Sequence, residues 1–466
     1  MQKYIIGIDN STQSSKVVIF DLNGNEIVVA KTLHLPMLHR HPGWAEFQGE
    51  DLWHATKASL MKAINDFPYA RESIVAIGLC TVGCSRVFFK KDASLQAPVM
   101  SWMDTRAYEA YQDDAEIAYT SSTTAYINYK LTGELKDAAA NAYQWQFPVD
   151  LKTLDWLKDK ASFDKYKIPR EKLLAIYKPG EILGYLSKQV SEETGLPFNI
   201  PIVATANDKP VEAIGCGIVD KSLALLSFGT ATASYILSDG FFEDGINYYT
   251  YPSAIPYKYI YSSPVVRYGM GHITWLKNLL GEHVSYDILE SEASKISVGS
   301  DGLFIIPDWL PLEKYKKGVI LGFMPTHTRG HIYRSFYEGI ALTLKNNHQK
   351  MTNELGVHPS KFIVAGGGSH SDVLIQICAD VFNAKMIKNK CFSSTALGAA
   401  VCAAVGIKLY SSFEEAVSYM VTQDKAFEPN ENNVQFYDQM NTSFYKGLSD
   451  SFQSIFKKAT HLGYIN

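Results

Sequence analysis

The pattern of apolar and polar positions near the start of the chain predicts a β-hairpin. Two apolar runs rich in β-branched residues, 5–8 and 17–20, flank the polar segment DNSTQSSK. Such runs are typical of strands, and the polar segment between them is typical of a turn. The hairpin would carry Asp9 and several small hydroxyl side chains to a place where backbone N–H groups can face a phosphate.

The next part of the chain alternates between strand-like and helical patterns. Apolar runs at residues 74–79, 87–90 and 201–205 predict strands, whereas residues 50–64 and 107–118 have helical periodicity. This alternation is typical of an α/β fold.

A second strand-turn-strand pattern, LALLSFGTATASYIL at residues 223–237, resembles the first hairpin. A later strand, residues 362–365, leads into the segment GGGS. Both halves thus begin with the same strand-turn-strand pattern, which hints at a duplication. We divide the chain into domains of residues 1–218 and 219–466 with a cleft between them. Helical patterns in the second half cover residues 272–280, 333–355, 372–382, 412–421 and 435–459.

Composition supports two domains and a small-molecule partner. The 466 residues are 46% hydrophobic and 20% charged, with a formal net charge of -4. Lys and Arg form no basic tract, so we expect no nucleic-acid partner. The hairpin leaves no room for a signal sequence, and the apolar run at residues 395–407 is too short to span a bilayer. We expect a cytoplasmic protein with no membrane partner; the oligomeric state stays open, a homodimer included.

The cysteine and histidine spacings predict neither disulfides nor a zinc site. Six cysteines in so long a chain are best interpreted as buried small residues. Cys80 and Cys84 are too far apart for a CxxC pair, and no histidine joins them. His327 and His331 have helical spacing, but HTRGH lacks the glutamate of a zinc protease, which favours capping or polar-surface roles.

Asp9 is a candidate metal ligand. A carboxylate beside a phosphate loop is repelled unless a cation lies between them, so Asp9 would hold a hydrated Mg²⁺. Thr12 and Lys16 accompany it in the same hairpin. The alternative is a turn aspartate that makes only an Asx turn.

The segment WMDTRA offers groups that suit a sugar. Trp102 can present a wall to a sugar ring, Asp104 can accept hydrogen bonds from its hydroxyls, and Arg106 can fix Asp104 or bind a polar group. An Asp–Arg pair that opens a helix is also a routine cap and salt bridge, and both interpretations remain open.

Asp208 is a candidate general base. It follows the strand at residues 201–205 and precedes a helix, which is where open α/β sheets bind ligands. Phosphoryl transfer needs little covalent chemistry, so one base, a metal and loops that hold the phosphates in line would suffice. The alternative is an N-cap for a helix that begins at Pro210, and the two roles can coexist.

Two glycine-containing turns are candidate nucleotide contacts. Gly229 permits close backbone approach, and Thr230 offers N–H and hydroxyl donors to a phosphate. The glycines of GGGS leave space for a flat adenine, although close packing of helix on strand explains them nearly as well. The absence of GxxxxGKS/T and GxGxxG disfavours P-loop and Rossmann proteins.

In order along the chain, these motifs resemble the FGGY carbohydrate kinases, which include xylulokinase, glycerol kinase and gluconate kinase. The resemblance covers nearly the whole chain. Its motifs are GIDNSTQSSKVVIFD, GWAEFQGEDLW, WMDTRA, YKLTGEL, PGEILGYL, TANDKPVEAIGCG, FGTATASY, HTRGHIYRSFYEGIAL, VAGGGSHSDVLIQICADVF and ALGAAV.

The resemblance implies two actin-like, ribonuclease-H-like ATPase domains that bind ATP and Mg²⁺ in the cleft and close on a sugar. It implies Asp208 as the base and Asp9, with Asp208, as metal support. The implied ATP contacts are Ser11, Thr12, Gln13, Lys16, Gly229, Thr230, Gly366, Gly367, Gly368, Ser369 and Asp372; the implied sugar contacts are Gly83, Cys84, Trp102, Asp104, Arg106, Asn207 and Asp208.

Departures from the family pattern limit what the resemblance says about the substrate. Gly83 and Cys84 stand where glycerol kinases have Arg-Glu and xylulokinases Met-His, Ser11 replaces a glycine, and Lys16 replaces an arginine. The chain is short between residues 118 and 126, and PDWLPLEKYKKG replaces a GERxP loop. We rank a ketopentose such as xylulose first, then another pentulose or polyol, then gluconate or glycerol. The competing classes are an actin- or chaperone-like ATPase and a sugar sensor that has lost catalysis.

Overall fold

The computed structural model describes residues 2–142, 145–229, 231–267, 269–281, 283–307, 309 and 315–463. The first half of the chain forms one large sheet with helices on both faces. Its elements are β1 (Tyr4–Asn10), β2 (Ser14–Asp21), β3 (Glu26–Leu33), α1 (Asp51–Asn65), β4 (Ile74–Thr81), β5 (Val87–Phe89), β6 (Tyr119–Ser121), α2 (Thr123–Thr132), β7 (Lys136–Ala138), β8 (Val149–Asp150), β9 (Asp155–Trp156), α3 (Lys160–Asp164), β10 (Ala175–Tyr177), β11 (Ile182–Tyr185), α4 (Lys188–Thr194), β12 (Pro201–Ala204) and α5 (Asp208–Gly215).

The six-stranded sheet of this half has the order β11-β12-β4-β1-β2-β3. Strands β1 and β2 form the hairpin predicted from the sequence, β3 extends it to an antiparallel meander, and β4 and β12 run parallel to β1. The carboxyl ends of β1, β4 and β12 therefore lie at one edge of the sheet, where ligands bind in open α/β sheets.

The second half repeats this plan. Its elements are β13 (Leu223–Phe228), β14 (Thr232–Ser238), β15 (Tyr249–Pro252), β16 (Tyr259–Ser262), α6 (Gly271–Leu280), α7 (Tyr286–Ala293), β17 (Phe304–Ile306), β18 (Val319–Leu321), α8 (Arg329–Leu355), β19 (Lys361–Ala365), α9 (Asp372–Phe382), β20 (Lys385–Asn389), α10 (Ser394–Gly406), α11 (Phe413–Met420), β21 (Gln423–Phe427), α12 (Glu431–Ser443) and α13 (Leu448–His461).

The large sheet of the second half has the order β15-β16-β14-β13-β19-β20-β21. Apart from β15, each strand has a counterpart in the first sheet with the same neighbours and the same parallel or antiparallel pairing. The predicted α/β fold with two domains is confirmed, and the shared topology supports the predicted duplication. The boundary at residues 218 and 219 stays a prediction.

Helix α10 packs the two halves together. Its Ala396–Ala404 stretch is buried in a core that also contains Ile5 and Val203 of the first sheet and Leu225 of the second. A Cβ atom at Gly7 would lie 1.9 Å from the carbonyl oxygen of Ala396, so the helix approaches β1 closely only because position 7 is glycine. Among the described helices, none combines the length and the apolarity needed to cross a bilayer.

Two helix predictions are wrong in detail. Of residues 107–118, only Ala107 and Tyr108 are helical, at the end of the short 3₁₀ turn Thr105–Tyr108. The chain becomes extended at Glu109 (ψ 155°), where its carbonyl accepts from the buried Arg86 side chain at 2.9 Å. Residues 435–459 form α12 and α13 rather than one helix. The chain turns at Phe444 (φ −141°), which buries Tyr445 so that its hydroxyl donates to the carbonyl of Ile305 at 2.8 Å.

The HTRGH histidines have the capping or polar-surface roles that the sequence predicts, and His331 is the one that caps a helix. The backbone N–H of Thr328 donates to Nδ1 of His331 at 3.1 Å, which completes a capping box at the start of α8. His327 accepts from the N–H of Met324 at 3.0 Å. The cysteines are buried as predicted, except that Cys391 is half-buried.

Candidate active site

Three loops at the carboxyl edge of the first sheet bring candidate residues together. Asp9 lies at the end of β1, Gly83 follows β4, and Asp208 follows β12 at the first position of α5. Asn207 is the N-cap of α5, because its side chain accepts from the backbone N–H of Lys209 at 3.3 Å. The helix therefore begins at Asp208 rather than at Pro210, and capping does not depend on Asp208 alone.

The electrostatics of Asp9 and Asp208 suit a divalent cation. Burial raises the pKa of Asp9 to about 6; Lys16 opposes this shift, and Asp208 adds to it. Burial also raises the pKa of Asp208, with Lys209 opposing and Glu212 adding to the shift. The Asp9 carboxylate accepts no hydrogen bond from a described residue. Two poorly compensated carboxylates in one site are a favourable place for a metal ion.

The donor set at this edge fits Mg²⁺ held partly by a substrate. Within the described part of the chain, no group of three or more His, Cys, Asp or Glu side chains is arranged to hold a metal. Mg²⁺ commonly keeps several waters and takes one or two protein carboxylates together with substrate phosphates. Asp9 and Asp208 match that requirement.

The turn between β1 and β2 is closed by its own polar groups. The backbone N–H and the hydroxyl of Ser11 donate to the carbonyl of Ser14 at 2.9 and 3.0 Å. The Trp102 indole donates to the Thr12 hydroxyl at 3.1 Å, so the predicted sugar wall touches the predicted phosphate turn. Gln13 is exposed at the tip, and Lys16 pairs in register with Asp9 across the hairpin.

The second sheet presents glycines at the corresponding edge. Gly229 follows β13, and Gly366 follows the neighbouring strand β19 with φ of 83°. A Cβ atom at Gly366 would lie 2.7 Å from the carbonyl of Phe228, whereas one at Gly367 would meet nothing within 4 Å. These turns therefore lie against each other and leave open space beside Gly367. Thr230 lies outside the described residues.

Gly368 and Ser369 complete the turn before α9. A Cβ atom at Gly368 would lie 2.7 Å from the Phe228 side chain, and the Ser369 hydroxyl donates to the carbonyl of Gly366 at 2.7 Å. The Asp372 carboxylate pairs with Lys388 at 3.3 Å and with Lys425 at 2.6 Å, neither of which is a candidate site residue.

Asp104 and Arg106 form a buried network with groups that the sequence reasoning did not assign. Asp104 accepts from the N–H of Ala45 at 2.9 Å and from the N–H and guanidinium of Arg106. Arg106 also pairs with Glu46 at 2.7 Å and lies over the Trp44 ring at 3.4 Å. Asp104 therefore has the capping and ion-pairing role that one interpretation of the WMDTRA segment proposed. Substrate contact by Asp104 or Arg106 stays a prediction.

The predicted sugar contacts after β4 lie beside Asn207. A Cβ atom at Gly83 would lie 1.8 Å from Nδ2 of Asn207, so glycine here makes room for that amide. The Gln146 amide donates to the carbonyl of Cys84 at 2.8 Å. Gln146 and the buried Arg86 line a cavity of about 300 Å³.

The sequence reasoning missed a charged cluster next to Asp208. Nζ of Lys209 lies 2.8 Å from Oε2 of Glu212 and 3.3 Å from Oγ of Ser227, and the Ser227 hydroxyl lies 3.0 Å from both Glu212 oxygens. Lys209 and Glu212 belong to α5, whereas Ser227 belongs to β13. The i, i+3 spacing of Lys and Glu directly after the candidate base was the available signal.

Comparison with known proteins identifies the class of protein that this fold and site define. Residues 4–116 and 112–215 match the N-terminal domain of the FGGY family of carbohydrate kinases, and residues 267–407 match its C-terminal domain. The chain is 38% identical over 471 residues to the uncharacterized sugar kinase YgcE of Escherichia coli, covering 98% of this chain and 96% of that protein. The chain belongs to the FGGY family of carbohydrate kinases.

More distant relatives agree on the fold. The chain is 24% identical to xylulose kinase of Lactococcus lactis over 94% of this chain and 95% of that protein. The solved structure of xylulose kinase from Lactobacillus acidophilus, at 21% identity, covers 98% of this chain and 99% of that chain with a TM-score of 0.84. The protein is thus a phosphotransferase with two actin-like α/β domains, of a family that uses ATP.

Proposed function

We propose that this protein transfers the γ-phosphoryl group of ATP to a terminal hydroxyl of a small sugar, with a ketopentose such as xylulose as the first candidate. The observation that carries the proposal is the position of Asp208, which follows β12 at the start of α5 and interacts electrostatically with Asp9 in the same site. An acid placed there can take a proton from a hydroxyl while a metal-bound phosphate lies nearby.

In the proposed mechanism, Asp208 accepts the proton of the attacking hydroxyl. Its raised pKa makes it a stronger base than an exposed aspartate, which favours proton transfer in the transition state. Asp9 would hold Mg²⁺, which supplies positive charge to the phosphate oxygens when bound. The turns at Gly229 and Gly366 would let the backbone approach the nucleotide phosphates, so alignment and charge stabilisation provide most of the rate.

The proposed sugar site extends from Asp208 towards Trp102. Trp102 is 45% exposed and can present its ring to a sugar while its indole N–H holds Thr12. Asn207 and the backbone of Gly83 supply polar groups beside the base. Glycine at position 83 lets the Asn207 amide lie directly against this turn.

An aldonate such as gluconate is the second candidate acceptor, because Arg86 is a buried cation beside the site. Its guanidinium donates to the carbonyls of Glu109 and Gln146 at 2.9 and 3.0 Å, and no carboxylate of a described residue lies within ion-pair distance. Burial lowers the pKa of Arg86 to about 10. Glu109, which also lines the adjoining cavity, compensates part of this charge, and a sugar carboxylate that enters the cavity would compensate it further.

A panel of ketoses, polyols and aldonates, assayed for ADP release and for the phosphorylated sugar, tests the proposal. We expect a ketopentose to give sugar-dependent ADP release with one phosphorylated product. A preference for gluconate that Arg86→Met abolishes would favour the second candidate. ATP hydrolysis that no sugar stimulates would contradict the sugar-kinase proposal and favour an actin-like ATPase.

A further inference from the structure

The side chain of Lys209 connects the two halves of the molecule at the candidate active site. Its backbone belongs to the first turn of α5, directly after Asp208, whereas its ammonium lies 3.3 Å from Oγ of Ser227 in β13. Two residues beyond Ser227 is Gly229, where a Cβ atom would lie 4.0 Å from the Lys209 ammonium. The ammonium therefore lies between the candidate base and the turn that we expect to face phosphate.

The ammonium is held in place and still has a donor to offer. Among the described residues it makes two hydrogen bonds, to Glu212 at 2.8 Å and to Ser227 at 3.3 Å, whereas an ammonium has three N–H donors. The side chain is 29% exposed, so the remaining donor can reach a ligand in the cleft. Glu212 is 6% exposed and accepts from both Lys209 and Ser227, which fixes the lysine geometry.

Three carboxylates surround the Lys209 ammonium, and they would repel a phosphate unless a positive charge lay beside it. Asp9, Asp208 and Glu212 all interact electrostatically with the Lys209 ammonium. A phosphate that enters beside these acids needs positive charge at this point.

We propose that Lys209 donates a hydrogen bond to the γ-phosphate of ATP and stabilises the charge on the phosphoryl group during transfer, with Glu212 and Ser227 as positioning residues. The inference rests on the proposed function and adds a phosphate contact to it. The phosphoryl group passes from the β-phosphate oxygen to the sugar oxygen, the P–O bond to ADP breaks, and Asp208 takes the sugar proton. Lys209 keeps its own proton throughout.

Nucleotide binding to Lys209→Met tests this inference without turnover. We expect the wild-type protein with Mg²⁺ to bind a non-hydrolysable ATP analogue more tightly than the Met variant by about 10-fold to 100-fold, because a charge-assisted hydrogen bond is lost. Affinity for ADP, which has no γ-phosphate, should change less than about 3-fold. Lys209→Arg should recover part of the analogue affinity.

Lys345→Met is the matched control. Lys345 is likewise a helix lysine paired with a carboxylate, Asp438 at 2.6 Å, but it joins α8 to α12, which carry no candidate site residue. This variant should lose stability without changing the ratio of analogue to ADP affinity. Thermal unfolding of each variant checks that the protein measured is folded.

The outcomes separate this inference from the proposed function. If Lys209→Met loses affinity for the analogue and for ADP equally, or for neither, the γ-phosphate contact is wrong, even if the wild-type protein still phosphorylates its sugar. If the wild-type protein binds neither nucleotide, the proposed function fails before Lys209 is tested. Loss confined to the analogue supports the contact.

Discussion

The two sheets have the same strand order but carry different chemistry at their carboxyl edges. The first edge holds carboxylates, Asp9 and Asp208, in a setting that raises the pKa of both. The corresponding edge of the second sheet holds Gly229 and Gly366, which bring backbone close to backbone and add no charge. Under the proposed function, one topology would support two separate tasks, acid and metal chemistry on one side and close approach of a nucleotide on the other.

Two different kinds of contact connect the two halves of the molecule. Helix α10 buries its small side chains between the sheets, whereas the Lys209 side chain links them at the site itself. The first is a packing contact in the core, and the second is a polar contact beside the candidate base. Changes at the acidic edge should thus alter catalysis, and changes at the glycine edge should alter stability or nucleotide affinity.

Asp208→Asn should have the largest effect. The amide keeps the size of the side chain but cannot accept the hydroxyl proton, so turnover should fall by about 10²-fold to 10⁴-fold while nucleotide affinity changes little. Steady-state kinetics with the best sugar of the panel, together with nucleotide titration, measures both. Asp287→Asn, at an exposed position in the first turn of another eight-residue helix, is the control. Near-normal turnover by Asp208→Asn would contradict the assignment.

Asp9→Asn should weaken the response to metal. We expect the Mg²⁺ concentration for half-maximal activity to rise by about 10-fold or more, because an amide oxygen is a poorer ligand than a carboxylate. Activity measured over a Mg²⁺ series at saturating ATP and sugar tests this expectation. An unchanged Mg²⁺ dependence would place the metal elsewhere.

The same variant should change the pH dependence of stability. The pKa of Asp9 is about 6 in the folded protein against an ordinary 3.8, so the metal-free folded state binds more protons and loses stability as pH rises from about 4 to about 6. Without metal, Asp9→Asn should therefore be more stable than the wild type by about 1–3 kcal/mol at pH 7, with a smaller difference near pH 4. Urea unfolding across this range measures the difference. A difference independent of pH would contradict the raised pKa of Asp9.

Gly366→Ala, at the carboxyl edge of the second sheet, should lower the stability of the protein. Its φ of 83° and the 2.7 Å approach to Phe228 both oppose a side chain, so we expect a loss of about 1–3 kcal/mol. Gly367→Ala, next along the chain with open space around it, should change stability by less than about 0.5 kcal/mol. Equal losses in urea unfolding would contradict this description of the turn.

Asp372→Asn should have the smallest effect. The Asp372 carboxylate is half-exposed and pairs with two lysines. Exposed ion pairs of this kind contribute about 0–1 kcal/mol to stability. If Asp372 binds the nucleotide as the family resemblance implies, the KM for ATP should rise as well. An unchanged KM would remove Asp372 from the nucleotide site.

The hairpins and the acid at the end of β12 were predictable because each lies in a local pattern: an apolar run, a polar turn and a strand end. The features that the sequence did not predict all depend on contacts between residues far apart in the chain. Arg86 binds the carbonyl of Glu109 at the point where the chain leaves the helix expected at residues 107–118, and the burial of Tyr445 breaks the helix expected at 435–459. Lys209 escaped notice because its partner Ser227 belongs to the other sheet.

A structure of the protein with Mg²⁺ and a non-hydrolysable ATP analogue tests the division of labour between the two edges most directly. We predict that the metal binds at Asp9, that the γ-phosphate lies between Asp208 and the turn at Gly229, and that the adenosine lies along residues 366–369. A nucleotide whose phosphates bind away from both edges, or a metal that contacts neither Asp9 nor Asp208, would contradict the account.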